Sequence, residues 1–107
     1  MALYFVELDF GQAGTAFVET DRLTNSRKRV IDNIRHGEWP GCEVLRVLEV
    51  NEDEGTCRDV TEDMAREVLD ALDADYEHVP LFLRNFIDWQ LGAGAADAHD
   101  ASIPVAA

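Results

Sequence analysis

Apolar residues recur on alternate positions near the start of the chain. In LYFVELDF (3–10), Tyr4, Val6, Leu8 and Phe10 fall on one side while Glu7 and Asp9 fall on the other, the pattern of a half-buried strand. GQAG (11–14) is a turn signal, and TAFVE (15–19) can return as the hairpin partner. The spacing then becomes helical in DRLTNSRKRVIDNIRHGEW, where Val30, Ile31 and Ile34 make a narrow apolar stripe. Thr24, Asn25 and Ser26 are cap candidates, and Gly37 is a stop. After the Trp39-Pro40-Gly41 break, EVLRVLEV (43–50) places Val44, Leu48 and Val50 on one face and Leu45 and Val47 on the other. A strand apolar on both sides is predicted to lie centrally in its sheet.

The NEDEG turn leads to a short strand, TCRDV, and then to TEDMAREVLDALDAD (61–75). Thr61 is placed as an N-cap, and Met64, Val68 and Leu72, flanked by Ala65, Leu69 and Ala71, predict an amphipathic helix. Pro80 suits a first helical position, so VPLFLRNFIDWQLG (79–92) reads as a third helix closed by Gly92, with Val79, Phe82, Leu83, Phe86 and Ile87 as its buried stripe. Residues 93–107 are Ala-rich without periodicity and read as a mobile tail. The expected architecture is one α+β domain over residues 1–92, an antiparallel sheet of about four strands covered by two or three helices in the order ββαββαα. GTAFVETD (14–21) and GTCRDVTE (55–62) share Gly-Thr, four residues, Thr and an acid. That match signals either an internal ββα repeat or shared turn and cap chemistry.

A chain of 107 residues bounds the fold to a single modest core, and 47% apolar content predicts folding despite a net charge of -13. The opening MALYFVELDF has no basic region and acquires acids at Glu7 and Asp9, so no signal peptide is expected. No apolar run approaches the ~20 residues of a membrane span, and a cytoplasmic protein is the expectation. Pairing Val50 with Thr56 would set Cys57 opposite Glu49, so Cys42 and Cys57 are expected to be free thiols.

Motifs of catalysis are absent from the sequence: it has no Walker loop, G-x-G-x-x-G, nucleophile elbow or H-E-x-x-H. His36, His78 and His99 lack a second His or a Cys at ligand spacing and read as surface residues. NEDEGTCRDVTE (51–62) places Asn51, Asp53 and Glu62 in a calcium-loop frame, but Gly55 stands at the fifth place, where the frame needs glycine at the sixth. Glu7, Asp9 and Arg46 fall on sheet faces where they can meet across strands as an ion pair. No cofactor, no metal and no catalysis are expected.

The placement of charge says more than its total. From Glu49 to Glu77 twelve acids face Arg58 and Arg66, a net of -10, whereas the rest of the chain has ten acids and seven basic residues, a net of -3. Arg22 to His36 holds Arg22, Arg27, Lys28, Arg29 and Arg35 against Asp32, a net of +4. If Ser26 caps the first helix, Arg27, Lys28 and Arg29 crowd its opening turn, and Asp70, Asp73 and Asp75 crowd the closing turns of the second; both placements oppose the helix dipole. Two structural remedies are open: a first helix capped by Thr20 with Asp21 and Leu23 in its opening turn, or two antiparallel helices that set the basic start of one beside the acidic end of the other. The functional alternative is a docking face of Glu62, Asp63, Glu67, Asp70 and Asp73. These five span about 16 Å, roughly one carboxylate per 3.3 Å, close to the ~3.4 Å per charge along one DNA strand.

Leu81, Trp89 and Leu91 widen the apolar arc of the third helix, as either core or a homodimer face. The sequence thus points to a non-catalytic acidic binding protein, regulatory or inhibitory, whose partner is a protein, in its sharpest form a basic nucleic-acid-binding protein met by a nucleic-acid-mimicking helix. Direct nucleic-acid binding is disfavoured by the overall charge, the Arg27, Lys28 and Arg29 cluster notwithstanding. The alternative is an oligomeric accessory protein whose acidity serves solubility alone.

Overall fold

In the computed structural model, which describes residues 2–19 and 26–104, the opening alternation becomes strand β1 (Ala2–Asp9). Tyr4, Val6 and Leu8 are buried while Glu7 and Asp9 are half-exposed, as period-two patterning requires. Phe10 leaves the strand: its N–H donates to the Gly14 carbonyl at 2.8 Å, closing a single 3-10 turn (Gly11–Ala13), and its ring is exposed. The chain returns as β2 (Thr15–Glu19). Helix α1 (Arg27–Arg35) follows, then β3 (Glu43–Asn51), β4 (Thr56–Asp59), α2 (Thr61–Ala74), a 3-10 turn (Leu81–Leu83), α3 (Arg84–Leu91) and α4 (Ala95–Ser102). The four strands form one antiparallel sheet in the order β2-β1-β3-β4, so the α+β expectation holds and β3 is central as its two apolar faces predict.

The sidedness of β3 differs from strict alternation. The β1–β3 ladder pairs Glu7 with Arg46 and Leu8 with Val44, so Leu45 has no cross-strand partner and the strand bulges there. That extra residue puts Val44 on the same side as Val47, both in the core, rather than with Leu48 and Val50. On the other side the Arg46 Nε donates to Glu7 Oε1 at 3.0 Å, and the guanidinium sits 5.6 Å over the Phe17 ring. Asp9 takes no part in that pair; its carboxylate accepts the Gly11 N–H at 2.8 Å. The β3–β4 hairpin is one residue out of the expected register. Asn51 Oδ1 accepts the N–H groups of both Asp53 and Glu54 at 3.1 Å, which closes the turn on an Asn51–Thr56 pair and sets Val50 opposite Cys57. Cys42 and Cys57 are both free thiols.

Where β4 becomes α2, the polar groups fit together closely. The Val60 N–H donates to the Val47 carbonyl at 2.9 Å, and the Val47 N–H donates to Thr61 Oγ1 at 2.9 Å. The Thr61 hydroxyl and N–H both donate to Asp59 Oδ1, and the hydroxyl bond, then the backbone bond against the effect of burial, hold the Asp59 carboxyl below the usual carboxylate range. Thr61 is therefore not the N-cap, a place taken by Val60; it is the first helical residue, buried, and wired to the sheet. Met64, Ala65, Val68 and Leu72 then face the core, meeting Val6, Leu8, Val30, Ile34 and Val47.

Ser26 Oγ accepts the Arg29 N–H at 3.1 Å and caps α1, so the cations do occupy its first turn; the alternative start at Thr20 lies outside the described residues. α1 and α2 lie side by side and parallel, since Arg27 reaches Glu67 while Arg35 reaches Asp75. This overturns the antiparallel arrangement. It also bears on the repeat: the order β2-β1-β3-β4 relates the two hairpins by a two-fold rotation, with Gly14-Thr15 and Gly55-Thr56 equivalent at the starts of β2 and β4. A two-fold would make the helices antiparallel, so the relation stops at the hairpins.

Pro80 stands just before the third helix rather than at its first helical position, and the helix opens as the 3-10 turn, which runs directly into α3 at Arg84; Val79, Leu83, Phe86 and Ile87 are buried as expected, but Phe82 is 51% exposed. The Ala-rich end, expected as an aperiodic tail, contains α4, fastened by polar bonds that periodicity cannot reveal. Asp88 Oδ1 accepts the Ala96 N–H at 2.9 Å, Asp100 accepts the Val79 N–H at 2.8 Å and pairs with Arg84 at 2.6 Å, and Ala96 is fully buried.

Replacing Thr61 by Val keeps its shape but leaves the buried Val47 N–H without an acceptor. Urea unfolding should then show a loss of about 1–3 kcal/mol with little change in slope, largely restored by Thr61→Ser. A Thr61→Val protein as stable as the parent would remove this junction from the account.

Candidate functional site

On α2, Glu62, Asp63, Arg66, Glu67, Asp70 and Asp73 fall within an arc of about 140° at 3.6 residues per turn, opposite the buried stripe. The structure therefore gathers the five predicted acids on one face. It also answers two of them. Arg66 pairs with Glu62 at 3.1 Å one helical turn away, and Arg27 Nε donates to both oxygens of Glu67 at 3.0 and 2.8 Å. The side chains of Asp63, Asp70 and Asp73 are exposed and make no hydrogen bond or ion pair among the described residues, though the Asp63 charge is felt by Arg58.

The basic cluster divides. Arg27 is committed inward, at 3.4 Å from Glu49 as well as to Glu67, whereas Lys28 and Arg29 are exposed without an ion-pair partner among the described residues. Arg35 was not singled out by the sequence, yet its side chain is only 10% exposed and bridges Asp75 and Glu77 (3.2 Å) just beyond the end of α2. Since α2 has no cation in its own last turn, Arg35 supplies one from the neighbouring helix end. The carboxylate of Asp75, more than the opposing effect of burial, raises the Arg35 guanidinium above its ordinary range.

A second polar cluster, missed in the sequence because its members are far apart, centres on Glu49. Its carboxylate accepts from the Tyr4 hydroxyl at 2.8 Å and from Arg58 at 2.9 Å, besides the Arg27 contact. Arg58 first, then Tyr4, hold the Glu49 carboxyl below the usual range despite burial. Burial, with the Glu49 hydrogen bond, pushes the Tyr4 phenol up. Every donor and acceptor of this cluster comes from a different element, namely β1, α1, β3 and β4, and through Arg27 it reaches α2. Its chemistry is that of a fastening: the carboxylate is ionised and fully occupied.

Of the predicted apolar face, Leu81 and Trp89 are 88% and 60% exposed, while Leu91 is half-buried against the core and does not join them. His36 and His78 are exposed, and a ring nitrogen of His99 lies 2.9 Å from the Glu77 carbonyl oxygen. Among the described residues no group of three or more His, Cys, Asp or Glu is placed to hold a metal ion, and no helix is long and apolar enough to cross a membrane.

A carboxyl pKa lowered by folding contributes stability above the ordinary carboxylate range and loses it as pH falls through that range. The unfolding midpoint should therefore drop as pH falls below about 4.5, and Glu49→Gln should lower the midpoint at neutral pH while making that acid limb shallower. Thermal denaturation monitored by circular dichroism across pH checks this, and an unchanged acid limb would contradict it.

In comparisons with known proteins, no family model, no curated protein and no solved structure gives a significant match to this chain.

Proposed function

We propose that this protein is a non-catalytic binding protein that acts by docking the acidic face of α2 against a basic surface of a protein partner, in a regulatory or inhibitory role. The observation that carries the reading is the trio Asp63, Asp70 and Asp73, set on one exposed helix face and without an ion pair among the described residues while the neighbouring Glu62 and Glu67 are paired. Unpaired carboxylates at the surface are already hydrated and cost little until a cation displaces that water; they steer a basic partner at long range.

A nucleic-acid-mimicking helix is the narrower form of this proposal. Pairing of Glu62 and Glu67 thins the run to three unanswered charges over about 15 Å, roughly one per 5 Å against the ~3.4 Å of a DNA strand. That spacing supports attraction to a cationic surface more than a close copy of a phosphate backbone. The exposure of Leu81 and Trp89 favours a second reading, an oligomeric accessory protein with acidity for solubility alone.

Immobilised protein should capture basic nucleic-acid-binding proteins at about 0.05 M salt and release them near 0.3 M, and the combined Asp63→Asn, Asp70→Asn and Asp73→Asn protein should hold them at least about tenfold more weakly. Equal capture by that folded variant would reject the docking face. For the second reading, a sizing column should show a dimer that Trp89→Ala converts to monomer; a monomer at all concentrations would reject it.

A further inference from the structure

Between α1 and β3 the chain turns through Gly37 to Gly41, and the 3-10 turn preceding α3 packs against it. Gly37 has φ +68°, and the Phe82 ring sits 3.1 Å from where a Cβ would stand, so only glycine admits both the turn and the ring. Ring and turn together wall a cavity of about 280 Å³ whose apolar lining includes Ile34, Trp39, Val44, Leu83 and Phe86. His36 and Cys42 also line it. None of this was read from the sequence, where Phe82 stands about forty residues from the turn that holds Trp39 and Cys42.

We infer that this cavity receives one bulky apolar side chain from a basic segment of the protein partner. Its volume lies just under the ~300 Å³ at which pockets begin to enclose drug-sized molecules, which suits a single aromatic or long aliphatic side chain. The half-exposed Phe82 wall and the neighbouring Leu81 give apolar surface on which the residues around such an anchor can lie, the arrangement of an interface hot spot. Charge selects the kind of segment. Glu38 stands between two cavity-lining residues, is exposed, and has no ion-pair partner among the described residues, and the chain as a whole carries -13. A second copy brings the same -13 and is repelled, whereas a basic segment is attracted. The inference rests on the basic partner proposed above and adds the anchor that fixes where it sits.

The two cysteines provide the test. Cys42 lines the cavity, whereas Cys57 lies exposed on β4. The probe is the pentapeptide Lys-Lys-Trp-Lys-Lys, with fluorescein at its N-terminus for anisotropy, and alkylation of each thiol of the full chain by iodoacetamide is followed by mass spectrometry. The peptide should slow alkylation of Cys42 at least about fivefold and leave Cys57 unchanged, and replacing its Trp by Ala should weaken its binding at least about tenfold. Phe82→Ala should weaken the Trp peptide to a similar degree, and the Cys42 protection stands as an independent readout in the unmutated chain. An unprotected Cys42 overturns the inference. So does equal protection by Glu-Glu-Trp-Glu-Glu or by indole alone, which would assign the cavity to an uncharged ligand, and so does a dimer whose Cys42 becomes reactive only on dilution, which would assign it to a second copy. If the Asp63, Asp70 and Asp73 variant abolishes peptide binding while Phe82→Ala does not, the acidic face stands and the anchor fails. The reverse pattern retains the anchor and rejects the acidic face.

Discussion

Both backbone groups of Val47 are taken by the two residues that carry the chain from β4 into α2: its carbonyl by Val60 and its N–H by the Thr61 hydroxyl. In a central strand these groups are far from water, and leaving either unmet is expensive, so the departure point of α2 from the sheet is fixed. Once Thr61 is turned inward, helical geometry decides the rest. Met64, Ala65, Val68 and Leu72 follow it into the core, and the carboxylates between them have nowhere to go but out. The acidic face is thus a consequence of where one hydroxyl is anchored.

Placing α1 parallel to α2 aligns two helix dipoles in the same sense, an arrangement without intrinsic electrostatic appeal. Side chains compensate at both ends. Arg27 at the start of α1 holds Glu67 and Glu49, and Arg35 at its end holds Asp75 and Glu77. The pairs are partly exposed, so each adds modestly to stability; their larger effect is to decide which charges remain for other molecules. On the two helices this leaves Asp63, Asp70 and Asp73 of α2 and Lys28 and Arg29 of α1 without an ion pair among the described residues.

Much of the fold was legible because burial writes a period into the sequence. Alternation at Tyr4, Val6 and Leu8 gave β1, the Met64, Val68 and Leu72 spacing gave α2, and Ser26 was one of several cap candidates for α1. What could not be read depends on single residues breaking a period or on partners distant in sequence. The bulge at Leu45 reverses the sidedness of Val44, and the Asn51 side chain shifts the hairpin by one residue. α4 is held by Asp88, Asp100 and Arg84 rather than by an apolar stripe. Of the site, the five acids shared a face as predicted, but their pairing by Arg27 and Arg66, and the cavity behind Phe82, exist only once the segments meet.

The two hairpins are related by a rotation that the helices do not follow. Had the symmetry extended through α1, the molecule would display two equivalent flanks and could bridge a pair of binders. With its helices running in the same direction the molecule has two inequivalent flanks, so a surface presented on one has no copy on the other.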